Sequence, residues 1–189
     1  MKLFRVLCAG VAMALSMGMS VQADEPKVGD PKVGDEAPNF ELKGSDGKTY
    51  KLSDFKGKQA VVVAWFPKAF TGGCTKECKS LKTNGSLVKA FNVAYFTASC
   101  DEQDGEKGNT AFAKSLELDY PILSDPSRAT ALKYGLVSDA KGNAKRVTFI
   151  IGKDGKIAHI EKMVKTEEHA SQVADKLKEL GVEAAPKKP

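Results

Sequence analysis

Between Phe66 and Leu81 the chain reads FPKAFTGGCTKECKSL, and two cysteines, Cys74 and Cys78, stand four residues apart just past the apolar run VVVAWF. Such a pair can form a structural bridge, clamp a metal, or divide the work of a nucleophile and its resolving partner. The residues around the first sulfur favour the last option. Gly72 and Gly73 let the backbone turn tightly and approach a small ligand. Cys74 then falls in the first turn of a helix, where unpaired N–H groups and the helix dipole favour a thiolate over a thiol. Thr71, three residues earlier, offers a hydrogen bond to that thiolate or to an oxygen substrate, and Lys76 adds positive charge nearby. An inert buried cysteine fits poorly beside Thr, Lys and Glu.

Positioning these groups requires a frame. Ala60 to Phe66 is a continuous apolar, β-branched and aromatic run, as a strand covered on both faces should be, and Pro67 ends it. Before it, NFELKGSDGKTYKL carries two alternating runs around Ser45-Asp46-Gly47-Lys48, a hairpin signature. After it, a loosely periodic helix is expected from Cys74 to Ala90, a buried strand over 91–99, a helix over 109–118, a short strand over 121–123 and a helix over 129–134. Arg146 to Ile160 reads as a second hairpin, and Thr166 to Leu180 as an amphipathic helix closed by Gly181. Strands alternating with helices, then a hairpin and a closing helix, describe an α/β sandwich with a mixed sheet and helices on both faces. Such folds place sites at the carboxyl ends of strands. If the strands before Cys74 and Cys100 are parallel neighbours, all three cysteines downstream of the leader lie on one edge of the sheet.

The first 23 residues are of a different kind. Lys2 and Arg5 precede the 14 uncharged residues Val6 to Met19, and Val21-Gln22-Ala23 offers a cleavage site, the pattern of an export signal. The run is shorter than the roughly 20 residues that span a bilayer as a helix. Residues 24–36 contain the repeat PKVGD-PKVGD and are expected to be a flexible tether; 37–182 form one domain, and 183–189 a loose tail. Loss of Lys2 and Arg5 lowers the net charge from +5 to +3, too mild a balance to suggest nucleic acid. Export puts Cys74, Cys78 and Cys100 in an oxidising compartment, the bacterial periplasm, where three cysteines cannot all pair within one chain.

Pro67-x-x-x-Thr71-x-x-Cys74 resembles the signature of the peroxiredoxins, and CTKEC resembles the loop of their bacterioferritin-comigratory, PrxQ-type branch. VGDEAPNFEL is similar to the family's opening strand and FKGKQAVVVAWFP to the strand leading into its site. AFAKSLELDYPILSDPSRATALKYGL is similar to the family's middle, and RVTFIIGKDGKI to the hairpin whose leading Arg faces the reactive cysteine. The resemblance implies a thioredoxin-like fold and a thiol peroxidase. Cys74 would be the peroxidatic cysteine, Thr71 and Arg146 its hydrogen-bonding and electrostatic partners, and Pro67 its shield from water. A permanent cation at Arg146 would hold a peroxide oxygen as negative charge develops on the leaving group.

The second cysteine departs from that branch, where the resolving residue commonly lies five positions after the first, and Gly72 replaces the usual Pro. Along an unbroken helix, residues four apart keep their Cβ atoms about 5–6 Å apart, whereas a disulfide wants about 3.8 Å. A Cys74–Cys78 bridge therefore requires the first turn to unwind, and Cys100 stays open as an alternative resolver. The implied cycle forms a sulfenic acid on Cys74, then a disulfide, which a thioredoxin-like dithiol protein reduces. It needs no metal or organic cofactor, and the resemblance suggests a monomer. Three rivals remain. A Sco-type copper protein would use the Cys-x-x-x-Cys spacing, but Lys145 and Arg146 stand where its histidine is expected, and His159 and His169 read as structural, the latter on a surface helix. A thiol-disulfide oxidoreductase normally uses Cys-x-x-Cys. A degenerate domain that only binds partners would not need Pro67, Thr71, Cys74 and Arg146 together.

Overall fold

The run Ala60–Trp65 is buried at every position, as its unbroken apolar sequence requires, and it forms the central strand of a mixed sheet. The computed structural model describes residues 29–186. Its strands are β1 (Glu41–Gly44), β2 (Thr49–Lys51), β3 (Ala60–Trp65), β4 (Val93–Ser99), β5 (Ile122–Ser124), β6 (Val147–Ile151) and β7 (Ile157–Glu161). They lie in the order β2-β1-β5-β4-β3-β6-β7. β3, β4 and β5 are mutually parallel, while β6 and β1 join antiparallel on either side. Helices α1 (Gly72–Thr83), α2 (Gly85–Lys89), α3 (Asn109–Ser115), α4 (Ala129–Lys133) and α5 (His169–Glu179) cover both faces.

The period of two along the strands sorts the core. Val61, Val63 and Trp65 share one cluster with Phe96, Ala98, Phe149, Leu132 of α4 and Tyr134. Val62 and Ala64 share the other with Leu81 of α1, Val88 of α2, and Val173 and Leu177 of α5. Both hairpins form, and Gly181 ends α5 with a φ of +67°, a backbone state that a side chain makes costly.

Three expectations are corrected. The single helix from Cys74 to Ala90 starts earlier, at Gly72, and breaks at Asn84, whose φ and ψ of −107° and 17° end α1 and cap α2. Residues 29–36 are docked and do not form a tether. The Gly29 N–H donates to the Leu132 carbonyl, the Gly34 N–H donates to the Ile157 carbonyl, and the Ile157 N–H donates to the Asp35 carbonyl. This segment covers unpaired groups at the head of β7, so the backbone is satisfied without any apolar burial of its own. The tail likewise pairs: Ala184 bridges Phe91, and the Asn92 N–H donates to the Glu183 carbonyl. The expected signal at 1–23, the start of the tether, and residues 187–189 lie outside the described residues.

Removing residues 1–36 deletes three of these backbone hydrogen bonds, each worth about 1 kcal/mol. We expect the truncated chain to lose about 2–4 kcal/mol in urea unfolding. A free tether would leave the midpoint unchanged.

Candidate active site

The carboxyl ends of β3 and β4 are tied together by polar groups. The Asp101 carboxylate accepts from the Ala69 N–H at 2.8 Å and from the Ser99 hydroxyl at 2.9 Å. Behind it the buried Asn109 amide bonds the Ser99 and Ser124 hydroxyls, reaching β5. This fixes the turn after β3, whose sharpest residue is not a glycine. Phe70 holds a φ of +61°, a left-handed state that costs a bulky residue about 1–2 kcal/mol. Its ring packs against Phe112 with centroids 4.9 Å apart. Gly72 and Gly73 both begin α1 with no positive φ. Gly73 matters for a different reason: a Cβ there would lie 3.3 Å from Arg146 Nη2 and would press on the guanidinium.

Cys74 is 1% exposed and lies in the first turn of α1. Arg146 Nη2 donates to its Sγ at 3.2 Å, a contact that strengthens as the sulfur takes on negative charge. The sheet explains the meeting. Val147 of β6 is paired with Trp65 of β3, so the residue before β6 emerges beside the loop that leaves β3.

The other side of Arg146 meets a carboxylate that sequence reasoning missed. Arg146 Nη1 pairs with Glu77 Oε2, and the Glu77 side chain is fully buried. Glu77 Oε1 lies 3.3 Å from Nδ1 of His169, and His169 Nε2 lies 2.9 Å from the Thr148 hydroxyl. Burial pushes the Glu77 carboxyl up to about 7, against the pull of Arg146. Burial, aided by the Arg146 charge, holds the His169 imidazole down at about 4, with Glu161 acting the other way. Glu77 stands at i+3 from Cys74, one helical turn on the same face, a signal that was available. His169 had none, because its burial against α1 is a tertiary fact; it begins α5 inside the core and not on a surface helix.

Two expected partners are elsewhere. The Thr71 hydroxyl donates to the Lys68 carbonyl at 2.9 Å and does not bond Cys74; Thr71 caps α1 with an extended backbone and no side-chain bond to the helix. Lys76 is engaged by Glu167 at 2.7 Å, which draws its charge away from the sulfur. Pro67 is half-buried, separated from the end of the strand by Phe66. Cys78 is fully buried with Cys74 among Phe66, Ala69, Phe112 and Ile122, and burial, reinforced by Glu77, pushes its thiol up to about 12. Both are free thiols.

Cys100 does not join them. It belongs to the cluster on the opposite face, in step with Phe96 and Ala98 along β4. Burial first, then Asp125, pushes its thiol up to about 11. The strands are parallel neighbours, as expected, but the alternation of side chains sends Cys100 to the other side. Among the described residues no three His, Cys, Asp or Glu side chains gather as metal ligands.

Residues 33–160 match the AhpC/TSA family. Peroxiredoxin Bcp of Escherichia coli K12 is 34% identical over 154 residues, spanning 78% of this chain and 96% of its own. The chloroplastic Peroxiredoxin Q of Triticum aestivum is 36% identical over 124 residues, 65% of this chain and 55% of its own. The crystal structure of peroxidoxin BcpB from Mycobacterium tuberculosis superposes with a TM-score of 0.70 at 27% identity, covering 79% of this chain and 98% of that one. The sheet and its helices thus form a thioredoxin-like fold.

The two displaced ionisations make opposing contributions to stability. Glu77, raised from 4.5 to about 7, contributes stability that is complete below pH 4.5 and lost as pH rises through about 7. His169, lowered from 6.5 to about 4, contributes stability present above 6.5 and lost as pH falls through about 4. We expect Glu77→Gln to gain on the wild type by up to about 3 kcal/mol between pH 4.5 and 7, read by urea unfolding at each pH. A constant difference across that window contradicts the assignment.

Proposed function

This chain belongs to the AhpC/TSA family as a peroxiredoxin of the Bcp and PrxQ kind, a thiol peroxidase, and from that premise we propose that Cys74 is its peroxidatic cysteine. The observation that carries the reading is the 3.2 Å donation from Arg146 Nη2 to Cys74 Sγ at the start of α1. The thiolate attacks one peroxide oxygen, the O–O bond breaks, and its electron pair leaves with the second oxygen. That oxygen takes a proton and departs as water or an alcohol, while Cys74 becomes a sulfenic acid. Arg146 faces the atoms where negative charge begins and where it ends. Hydrogen peroxide and alkyl hydroperoxides are the substrate class.

Cys78 resolves the sulfenic acid. In α1 it is four residues away and its thiol is held protonated by burial, so attack requires it to leave the core. The start of α1 suits that movement. It carries two glycines, no side-chain cap and no acidic residue in the first turn, and each glycine costs a helix about 1 kcal/mol relative to alanine. Once unwound, the Cys78 sulfur reaches water, ionises nearer its ordinary range, and displaces hydroxide from Cys74 to form the disulfide. Cys100, across the sheet, has no comparable route. A thioredoxin-like dithiol protein then reduces the bridge by exchange. Both sulfurs come from one helix, which supports a monomeric enzyme. Lys2, Arg5, the uncharged run Val6 to Met19 and Val21-Gln22-Ala23 support cleavage after residue 23 and delivery to the periplasm. The copper reading gains nothing from the geometry, since His159 lies 3.6 Å from Glu161 and His169 is engaged by Thr148.

The Cys74→Ser variant should lose all peroxide consumption in the presence of a reducing protein. One equivalent of peroxide should convert the wild type to a Cys74–Cys78 disulfide in peptide mass mapping. Turnover by Cys74→Ser refutes the peroxidatic assignment, and a Cys74–Cys100 peptide refutes the resolver.

A further inference from the structure

Two buried polar atoms near the reactive cysteine have no hydrogen-bond partner of their own: Glu77 Oε1 and His169 Nδ1. They lie 3.3 Å from each other, close enough to pair but without the alignment of a formed hydrogen bond. Leaving both unpaired in the core would cost about 1–3 kcal/mol for each group. Each is the other's nearest remedy.

The structure assigns His169 the role of a positioning residue, which holds Glu77 so that Glu77 in turn holds Arg146 against Cys74. This rests on the reading of Cys74 as the reacting sulfur. The chain of donors has one consistent direction. With the Glu77 carboxylate ionised, its Oε1 can only accept, so the neutral His169 ring carries its proton on Nδ1, and Nε2 is left to accept from the Thr148 hydroxyl 2.9 Å away. Glu77 Oε2 is occupied by Arg146 Nη1, and Arg146 Nη2 ends the chain on Cys74 Sγ. Opposite the ionised carboxylate, the other tautomer would set two acceptors against each other at Glu77 and His169.

The burden on Arg146 explains why such a chain is useful. A free arginine side chain holds about 2 kcal/mol of rotamer entropy, and this one is partly open to solvent, so its polar contacts among the described residues, Glu77 and the sulfur, must hold it in place. Glu77 sits on the helical turn that must unwind for Cys78 to reach Cys74. His169 sits on α5, which packs on α1 and is also tied there by the Ala170 N–H donating to the Ser80 hydroxyl. The anchor for Arg146 therefore comes from a helix outside the moving turn. The charged and titratable groups that surround the pair are Arg146 ahead of β6, Glu161 on β7, Tyr120 before β5, and Cys74 and Cys78 on α1.

The test uses the full mature chain and two variants. His169→Phe keeps bulk and removes both ring nitrogens, whereas His169→Asn keeps a side-chain N–H near the Nδ1 position. We expect His169→Phe to slow both the single-turnover reaction with hydrogen peroxide and iodoacetamide alkylation of Cys74 by about tenfold or more, toward the roughly 100-fold that a 1 Å misplacement can cost. His169→Asn should recover most of both rates. Nitrogen NMR of the wild type at about pH 8, above the range where Glu77 takes up its proton, should show a neutral His169 protonated on Nδ1. Unchanged rates in His169→Phe, or an Nε2-protonated ring, overturn the proposal. So does a rate loss that Asn does not recover and that tracks a fall in urea midpoint, since that is packing alone. Alkylation involves no peroxide, so a slowed alkylation in a protein that never consumes peroxide would sink the function and leave the positioning role standing.

Discussion

The site depends on one guanidinium held between a sulfur and a carboxyl group. Arg146 gives one nitrogen to the sulfur of Cys74 and the other to the carboxylate of Glu77. A partly buried cation with one partner removed leaves an uncompensated charge, a loss of about 3–5 kcal/mol when the pair is fully buried. The arrangement exists only because β6 runs antiparallel beside β3, with Val147 opposite Trp65, so that the residue preceding one strand meets the loop following the other. A shift of one residue in that register would send every side chain of β6 to the wrong face.

Around this fixed point the two halves of the site differ in firmness. The floor is rigid: β3 is buried throughout, and Asp101, Ser99, Asn109 and Ser124 lace the loop ends together. The start of α1 is weak, with its glycines and uncapped first turn. Cys78 needs that weakness, since a thiol pushed up to about 12 by burial cannot act where it sits. The chemistry at Cys74 needs the opposite, a turn that stays wound while the peroxide is bound. Glu77 lies where these demands meet, anchored from β6 and α5 while belonging to α1.

Much of this was legible in the residues. The unbroken apolar run announced a central strand, both hairpins carried their turn residues, and the contact of Arg146 with Cys74 was expected from the resemblance to the peroxiredoxins. What failed did so for identifiable physical reasons. The docking of 29–36 and of the tail rests on backbone hydrogen bonds, which leave no trace in side-chain pattern. Thr71 had a nearer acceptor in the Lys68 carbonyl than in the sulfur. Cys100 was placed by strand end and not by strand parity, and parity decided its face. The positive φ fell on Phe70 between no glycines, because the Asp101 contact to Ala69 fixes the turn from outside. Glu77 was readable from its spacing, while His169 required knowing where α5 packs.

The measurement that bears most directly on the shared guanidinium is the single-turnover rate of the reduced protein with hydrogen peroxide when Arg146 is replaced by Gln. The first oxidation of Cys74 involves neither the resolver nor the external reductant, so it isolates this contact. Loss of a preorganised donor at such a site costs about 100- to 1000-fold, and Arg146→Gln should fall in that range while remaining folded. A rate constant within about threefold of the wild type would show that the sulfur reacts without Arg146, and would contradict the account of the site.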